Sequence, residues 1–219
     1  MNLLRISLAR SIWLFPFEDL NPRGRYWLPI YDALIKRYNF ASSPQSIEDV
    51  KPNEGVKVQF GVFEKSQKEQ VSVDLTIHND GMVADTRSST RDSDAFLEDA
   101  FNWMATDFGL SSISKLIRRK TYVSELHVYM ESSLNILNPK LEEFTKHLSS
   151  RVVGYESLSF ETGGISFWAD PTEAGITNPF SLERLEGEPF KENRYLSKAP
   201  LQTEDHLELL EELEKILSG

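Results

Sequence analysis

The chain has 219 residues, 34 acidic against 24 basic for a net charge of −10, with 40% hydrophobic and 11% aromatic residues and no cysteine. That length and apolar content suffice for one large domain or for two packed lobes of about 100 residues each. The negative charge opposes non-specific phosphate binding, and the absence of cysteine excludes disulfides, thiolate catalysis and cysteine-built zinc or iron–sulfur sites.

No run of about 18 apolar residues occurs, so a soluble, cytoplasmic protein with no membrane span is expected. The first 17 residues lack acid and carry Arg5 and Arg10, a pattern shared with amphipathic presequences; the alternation of Leu4, Ile6 and Leu8 predicts instead a strand running into Trp13-Leu14-Phe15-Pro16-Phe17. Pro22 and Gly24 end it. Tyr26, Trp27, Ile30, Tyr31, Leu34, Ile35 and Tyr38 then recur at helical spacing, with Pro29 near the helix start. A loop is expected from Ala41 to Gly55, where proline and serine replace apolar residues.

From Val56 the period changes to two. Val56, Val58, Phe60 and Val62 form one predicted inward face, and Val71, Val73, Leu75 and Ile77 the next. His78-Asn79-Asp80-Gly81 reads as a tight hairpin with positive-φ residues, returning through Met82-Val83-Ala84-Asp85. Ser89 and Thr90 are candidate caps for a helix with Asp92 and Asp94 near its positive end, Leu97, Phe101, Met104 and Phe108 along one stripe, and Gly109 at its close.

A second half begins with a strand through Tyr122, Leu126, Val128 and Met130. Asn138 as cap and Pro139 in the first turn predict a helix with Leu141, Phe144 and Leu148 inward. Strands are expected at Tyr155 to Phe160 and Ile165 to Trp168 around a Thr162-Gly163-Gly164 turn. A loop over Asp170 to Pro179 and a hairpin around Gly187 returning through Asn193 to Leu196 follow. The last helix, capped by Thr203, places Leu207, Leu210, Leu213 and Leu217 on one side and acids on the other.

The halves echo one another. Leu20-Asn21-Pro22-Arg23 and Leu137-Asn138-Pro139-Lys140 stand 117 residues apart, and Thr90-Arg91-Asp92 and Thr203-Glu204-Asp205 stand 113 apart, in the same order. The expected fold class is therefore α+β, mostly antiparallel sheets with helices on one face, arranged as two similar β-α-β-β-β-α lobes over residues 1–112 and 113–219. A single mixed sheet with all helices packed together is the alternative.

Candidate chemistry is sparse. His78, His127, His147 and His206 show no metal-pair spacing, and no cofactor or metal is expected. His78 with Asp80 is explained by turn stereochemistry. Glu125, His127 and Tyr129 line one strand face, where a carboxylate beside an imidazole suits acid–base work, although a solvated sheet face has the same pattern. Asp85, Asp92, Asp94, Asp99 and Asp107 crowd one segment without a phosphate-gripping glycine loop. Lys115, Arg118, Arg119 and Lys120 make too small a basic set for a nucleic-acid footprint. The expected function is that of a non-enzymatic acidic interaction protein, a complex subunit, adaptor or inhibitor. It would meet a basic protein partner through Glu204, Asp205, Glu208, Glu211 and Glu212. The alternative is a small hydrolase or transferase using Glu125 and His127 with Asp85 or Asp94.

Overall fold

The computed structural model describes residues 1–44, 55–66, 68–137, 139–152, 159–170, 172 and 178–219. In chain order these form β1 (Asn2–Leu14), α1 (Phe17–Leu20), α2 (Trp27–Arg37), β2 (Val56–Ser66), β3 (Glu69–His78), β4 (Gly81–Thr86) and α3 (Thr90–Phe108). There follow β5 (Arg119–Tyr129), α4 (Pro139–Arg151), β6 (Gly164–Phe167), β7 (Phe180–Arg184), β8 (Arg194–Ala199) and α5 (Thr203–Ser218). The class is α+β, and the strands make one antiparallel sheet in the order β2-β3-β4-β1-β5-β8-β7-β6. No described helix is long and apolar enough to cross a membrane. Contacts divide the chain into two units. One comprises Ile6–Ser124 with Pro200–Glu204, the other Met1–Arg5, Glu125–Ala199 and Asp205–Gly219.

In the first unit, the period-two segments pair as predicted, with Val58 opposite Leu75 and Phe63 opposite Val71, but a register shift falls between Val58 and Gly61. Phe60 there takes φ +58°, and its N–H donates to Asp74 Oδ1 at 2.8 Å. This bulge reverses the strand's parity. Phe60, expected inward, is exposed, and Phe63 replaces Val62 as the buried residue. Gly61 is required at the bulge because a Cβ there would strike the Phe40 ring. The β3–β4 turn closes at His78 opposite Gly81 without any positive φ at Asn79, Asp80 or Gly81. Gly81 serves close approach instead, since a Cβ would collide with the Trp13 carbonyl.

The core of this unit gathers Trp13, Phe15, Ile30, Leu34, Tyr38, Phe96, Leu97, Phe101 and Met104. Trp13 stacks on Phe101 at 5.8 Å, and Phe15 meets the same ring edge-on at 5.4 Å. The α3 helix begins where the Ser89 side chain accepts from the Asp92 N–H at 3.1 Å and ends at left-handed Gly109, as its sequence requires.

Two helix starts meet in this unit. The Thr203 hydroxyl accepts from the Thr90 N–H and the Thr90 hydroxyl accepts from the Thr203 N–H, both at 3.0 Å and both buried. Each N–H is one of the four that a helix leaves unpartnered at its start. Two positive dipole ends oppose one another here, and the first-turn acids Asp92 and Glu204 offset them, Glu204 also pairing with Arg91 at 3.3 Å.

In the second unit, β6, β7 and β8 form antiparallel pairs, Ile165 opposite Leu182 opposite Ser197. The predicted strand at Tyr155 to Phe160 falls largely on residues outside the described set, as do the Asn138 cap and most of the loop after Asp170; Ser159 and Phe160 are not in a strand. The α4 helix corrects the sequence reading. Leu141, Phe144 and Leu148 were expected inward, yet α4 has no buried residue, with Leu141 44% and Phe144 62% exposed. Its stripe is narrow, flanked by Lys140, Glu142, Lys146 and Arg151, and an i,i+4 Glu142–Lys146 pair at 2.7 Å supports the helix locally. On α5 the buried line runs through His206, Leu210, Glu214 and Leu217, while Leu207 and Leu213 are only half-buried. Glu214 is drawn inward by the Glu131 N–H and the Met1 amino group.

One spacing recurs: β4 and β8 have six residues each, and both they and the starts of α3 and α5 lie 113 positions apart. Shifted by 113, the buried α5 positions Thr203, His206, Leu210, Glu214 and Leu217 fall on Thr90, Ser93, Leu97, Phe101 and Met104, all buried. Replacing Thr90 or Thr203 by Val keeps the side-chain shape but strands one buried N–H, so each variant loses about 1–2 kcal/mol in urea unfolding, whereas Thr→Ser retains most of the stability. Unfolding midpoints indistinguishable from wild type in both Val variants would show that the exchange contributes nothing.

Candidate functional site

Four of the five predicted partner-binding acids, Asp205, Glu208, Glu211 and Glu212, are exposed on α5; Glu204 is half-buried and engaged by Arg91. Their helix rises from the buried line described above, which turns these positions outward at the 3.6-residue period. Two apolar side chains share the outward surface, Leu209 at 38% and Ile216 at 73% exposure. The surface thus combines acid with apolar area.

Glu125 and His127 both lie on β5 two residues apart and so share a sheet face. Their partners are cations. Glu125 Oε1 is 2.8 Å from Lys198 Nζ, and Arg5 Nη2 lies 3.2 Å from His127 Nε2. A guanidinium only donates, so Nε2 is the acceptor and the ring proton resides on Nδ1. Burial lowers the His127 pKa and Arg5 lowers it further against the opposing pull of Glu125, which keeps the imidazole neutral and makes it a weaker base than an unperturbed histidine.

Asp85, in the other unit, is clasped by Arg10 through two 2.7 Å bonds. Three further aspartates of that segment are also held one by one, while Asp107 is exposed. Asp94 accepts from Trp13 Nε1 at 2.7 Å and Tyr122 Oη at 3.1 Å, Asp92 lies 2.8 Å from Lys65, and Asp99 accepts from Tyr38 Oη at 2.6 Å and Arg37 at 3.1 Å. These carboxylates do not converge on a common point, and no group of three metal-ligating side chains occurs among the described residues. In the basic set, Lys120 lies over the Trp13 ring at 3.8 Å and near Glu98, while Lys115, Arg118 and Arg119 are exposed.

Sequence reasoning missed a buried histidine. His206 and Ser197 are both fully buried, with Ser197 Oγ 2.8 Å from His206 Nε2 and 3.0 Å from the Ser181 carbonyl oxygen. The single hydroxyl proton goes to the carbonyl, which can only accept, so His206 donates from Nε2–H and is neutral. Burial drives its pKa down to about 4. With neither group reachable from solvent, this serine–histidine pair is part of the core. The signal was present in the sequence, since His206 sits on the same helical line as Thr203, Leu210 and Leu217.

No protein-family model matches the chain, and no curated protein matches it.

Two titrations follow. Arg5→Met raises the His127 pKa toward the ordinary 6.5, read from imidazole proton shifts; a fall or no change contradicts the assigned hydrogen bond. For His206 the folded pKa lies below the unfolded 6.5, so the unfolded state binds the extra proton first. Stability is therefore lost as pH falls from about 6.5 to about 4, by on the order of 3 kcal/mol from this group. The variant His206→Asn should flatten that part of the stability profile, and an unchanged slope would place the titration elsewhere.

Proposed function

We propose that this chain is a non-enzymatic interaction protein of the cytoplasm, a subunit, adaptor or inhibitor that engages a basic protein partner through the outward face of α5. The observation that carries the reading is the set of four exposed carboxylates, Asp205, Glu208, Glu211 and Glu212, gathered on one helix with Leu209 and Ile216 exposed among them. Unpaired acids raise the encounter rate with a basic surface and penalise acidic competitors, and the apolar pair supplies area that gains from burial. The net charge of −10 favours the same class of partner. The engagement of Glu125 by Lys198, of His127 by Arg5 and of Asp85 by Arg10 speaks against bond-making chemistry at those residues.

The scaffold beneath this face is read as a tandem duplication, β-α-β-β-β-α over residues 1–112 and again over 113–219. Three features support it: the 113-residue spacing, the coincident buried positions, and a strand order in which β1, β4, β3, β2 run outward one way and β5, β8, β7, β6 the other. The Arg10–Asp85 pair between β1 and β4 has a charge-reversed counterpart in Glu125–Lys198 between β5 and β8.

The purified chain on a resin should retain protein from a native extract at low ionic strength and release it as salt rises. Combined Asp205→Asn, Glu208→Gln, Glu211→Gln and Glu212→Gln substitution abolishes that retention, while Glu142→Gln with Glu143→Gln leaves it. Retention of nothing at low salt, or retention indifferent to the α5 substitutions, would sink the reading.

A further inference from the structure

One difference between the two halves lies beside α3 and α5. In the first half, the α3 positions Phe96 and Ala100 are buried and Trp103 is half-buried, because α2 packs along them. Tyr38 meets Phe96 at 4.8 Å between ring centroids, Arg37 lies over Trp103 at 5.1 Å, and the Arg37 guanidinium pairs with Asp99 at 3.1 Å. Shifted by 113, those α3 positions become Leu209, Leu213, Ile216 and, for Asp99, Glu212 on α5. That seam is open: Leu209 and Ile216 are exposed and Leu213 is half-buried.

The helix that would cover it is in the chain. The inward side of α2 is spaced Trp27, Ile30, Leu34, Arg37, and α4 repeats that spacing and order of chemistry as Leu141, Phe144, Leu148, Arg151. Three apolar residues at i, i+3 and i+7 followed by an arginine at i+10 form one helical stripe. In α2 the stripe is packed, while in α4 Leu141 and Phe144 are exposed and Leu148 is only half-buried. Two apolar stripes that stay largely exposed in one unit, and whose counterparts in the other half are packed together, define both the groove and its occupant.

We infer that α4 docks on α5 in a second arrangement of this protein, laying Leu141, Phe144 and Leu148 on the Leu209–Leu213–Ile216 seam and pairing Arg151 with Glu212. The inference rests on the duplication proposed above and adds to it a two-state element. Docking buries apolar surface that the open arrangement leaves in water, and it covers part of the acidic face proposed to meet a basic partner. The outward surface of α5 is then available to a partner only in the open arrangement.

The absence of native cysteine permits a clean test in the full chain. A long ion pair holds the two backbones further apart than a disulfide reaches, so a short bismaleimide is the suitable probe. Arg151→Cys with Glu212→Cys should give an intramolecular cross-link. The control pair Arg37→Cys with Asp99→Cys, built on the ion pair already present, reports that the reagent spans such a contact. Lys146→Cys with Glu212→Cys, from the opposite side of α4, should give several-fold less product. Adding Phe144→Asp, at an exposed site, should lower the yield of the Arg151 pair by a similar factor. The inference is overturned if the Arg151 pair fails while the Arg37 pair reacts. It is overturned equally if the Arg151 pair reacts no better than the Lys146 pair, if Phe144→Asp leaves its yield unchanged, or if the products join two chains. Failure of docking alone leaves the duplication standing, because the reciprocal Thr90–Thr203 bonds and the 113-residue spacing do not depend on α4.

Discussion

The exchange of hydrogen bonds between Thr90 and Thr203 is the constraint on which the rest of the structure depends. Each hydroxyl caps the other residue's helix, so neither α3 nor α5 satisfies its first N–H without the other. The bonds are buried, and a buried backbone donor without an acceptor costs far more than a satisfied one contributes. Neighbouring hydroxyls extend the same region. Ser93 Oγ donates to the Ala9 carbonyl at 2.8 Å, and Ser11 Oγ to the Thr90 carbonyl at 3.1 Å, tying the start of α3 to β1. In the Thr90–Thr203 pair each residue meets the other in the same way. The exchange occurs at the two residues that open the repeated Thr-x-Asp tripeptide.

Charge is held differently on the central strands and on α5. On β1, β4, β5 and β8, acids face cations at salt-bridge distance, as in Arg10–Asp85 and Glu125–Lys198, and the sheet carries little unbalanced charge at those positions. On α5 the outward acids stand apart, because the inward line of that helix is already filled by His206, Leu210, Glu214 and Leu217. Helical geometry, more than the number of acids, is what concentrates charge there. The two histidines placed in hydrogen bonds are both held neutral for different reasons: His127 by burial and a neighbouring guanidinium, His206 by burial alone. These two imidazoles are thereby set to respond to acid below their ordinary range.

Much of the fold was legible in the sequence because local rules and tertiary packing agree. The alternation from Val56 and Val71, the Ser89 cap and the Gly109 stop each found the element they predict. Failures trace to particular contacts. Phe60 obeys the alternation in sequence but is turned out by a bulge, and the bulge follows from how closely Gly61 approaches Phe40, a residue 21 positions away. Leu141, Phe144 and Leu148 carry an amphipathic period that says which side is apolar and nothing about whether a surface faces it. The acidic residues of the candidate site were readable from helical spacing. The inward place of His206 was readable in the same way, but its pairing with Ser197 was not, since one histidine and one serine acquire meaning only when β8 and α5 bring them to 2.8 Å. The echo of Thr90 and Thr203 was visible as a spacing, but mutual capping is a spatial fact that no spacing encodes.

The outward face of α5 is the surface proposed to meet a basic partner. Zero-length coupling of carboxylates to lysines in native extract, followed by mass spectrometric mapping, tests it most directly. The expected result is links from Asp205, Glu208, Glu211 or Glu212 to lysines of another protein, diminishing as ionic strength rises. Links confined to Glu125, Asp85 or other acids away from α5, with α5 unmodified by any partner, would contradict it.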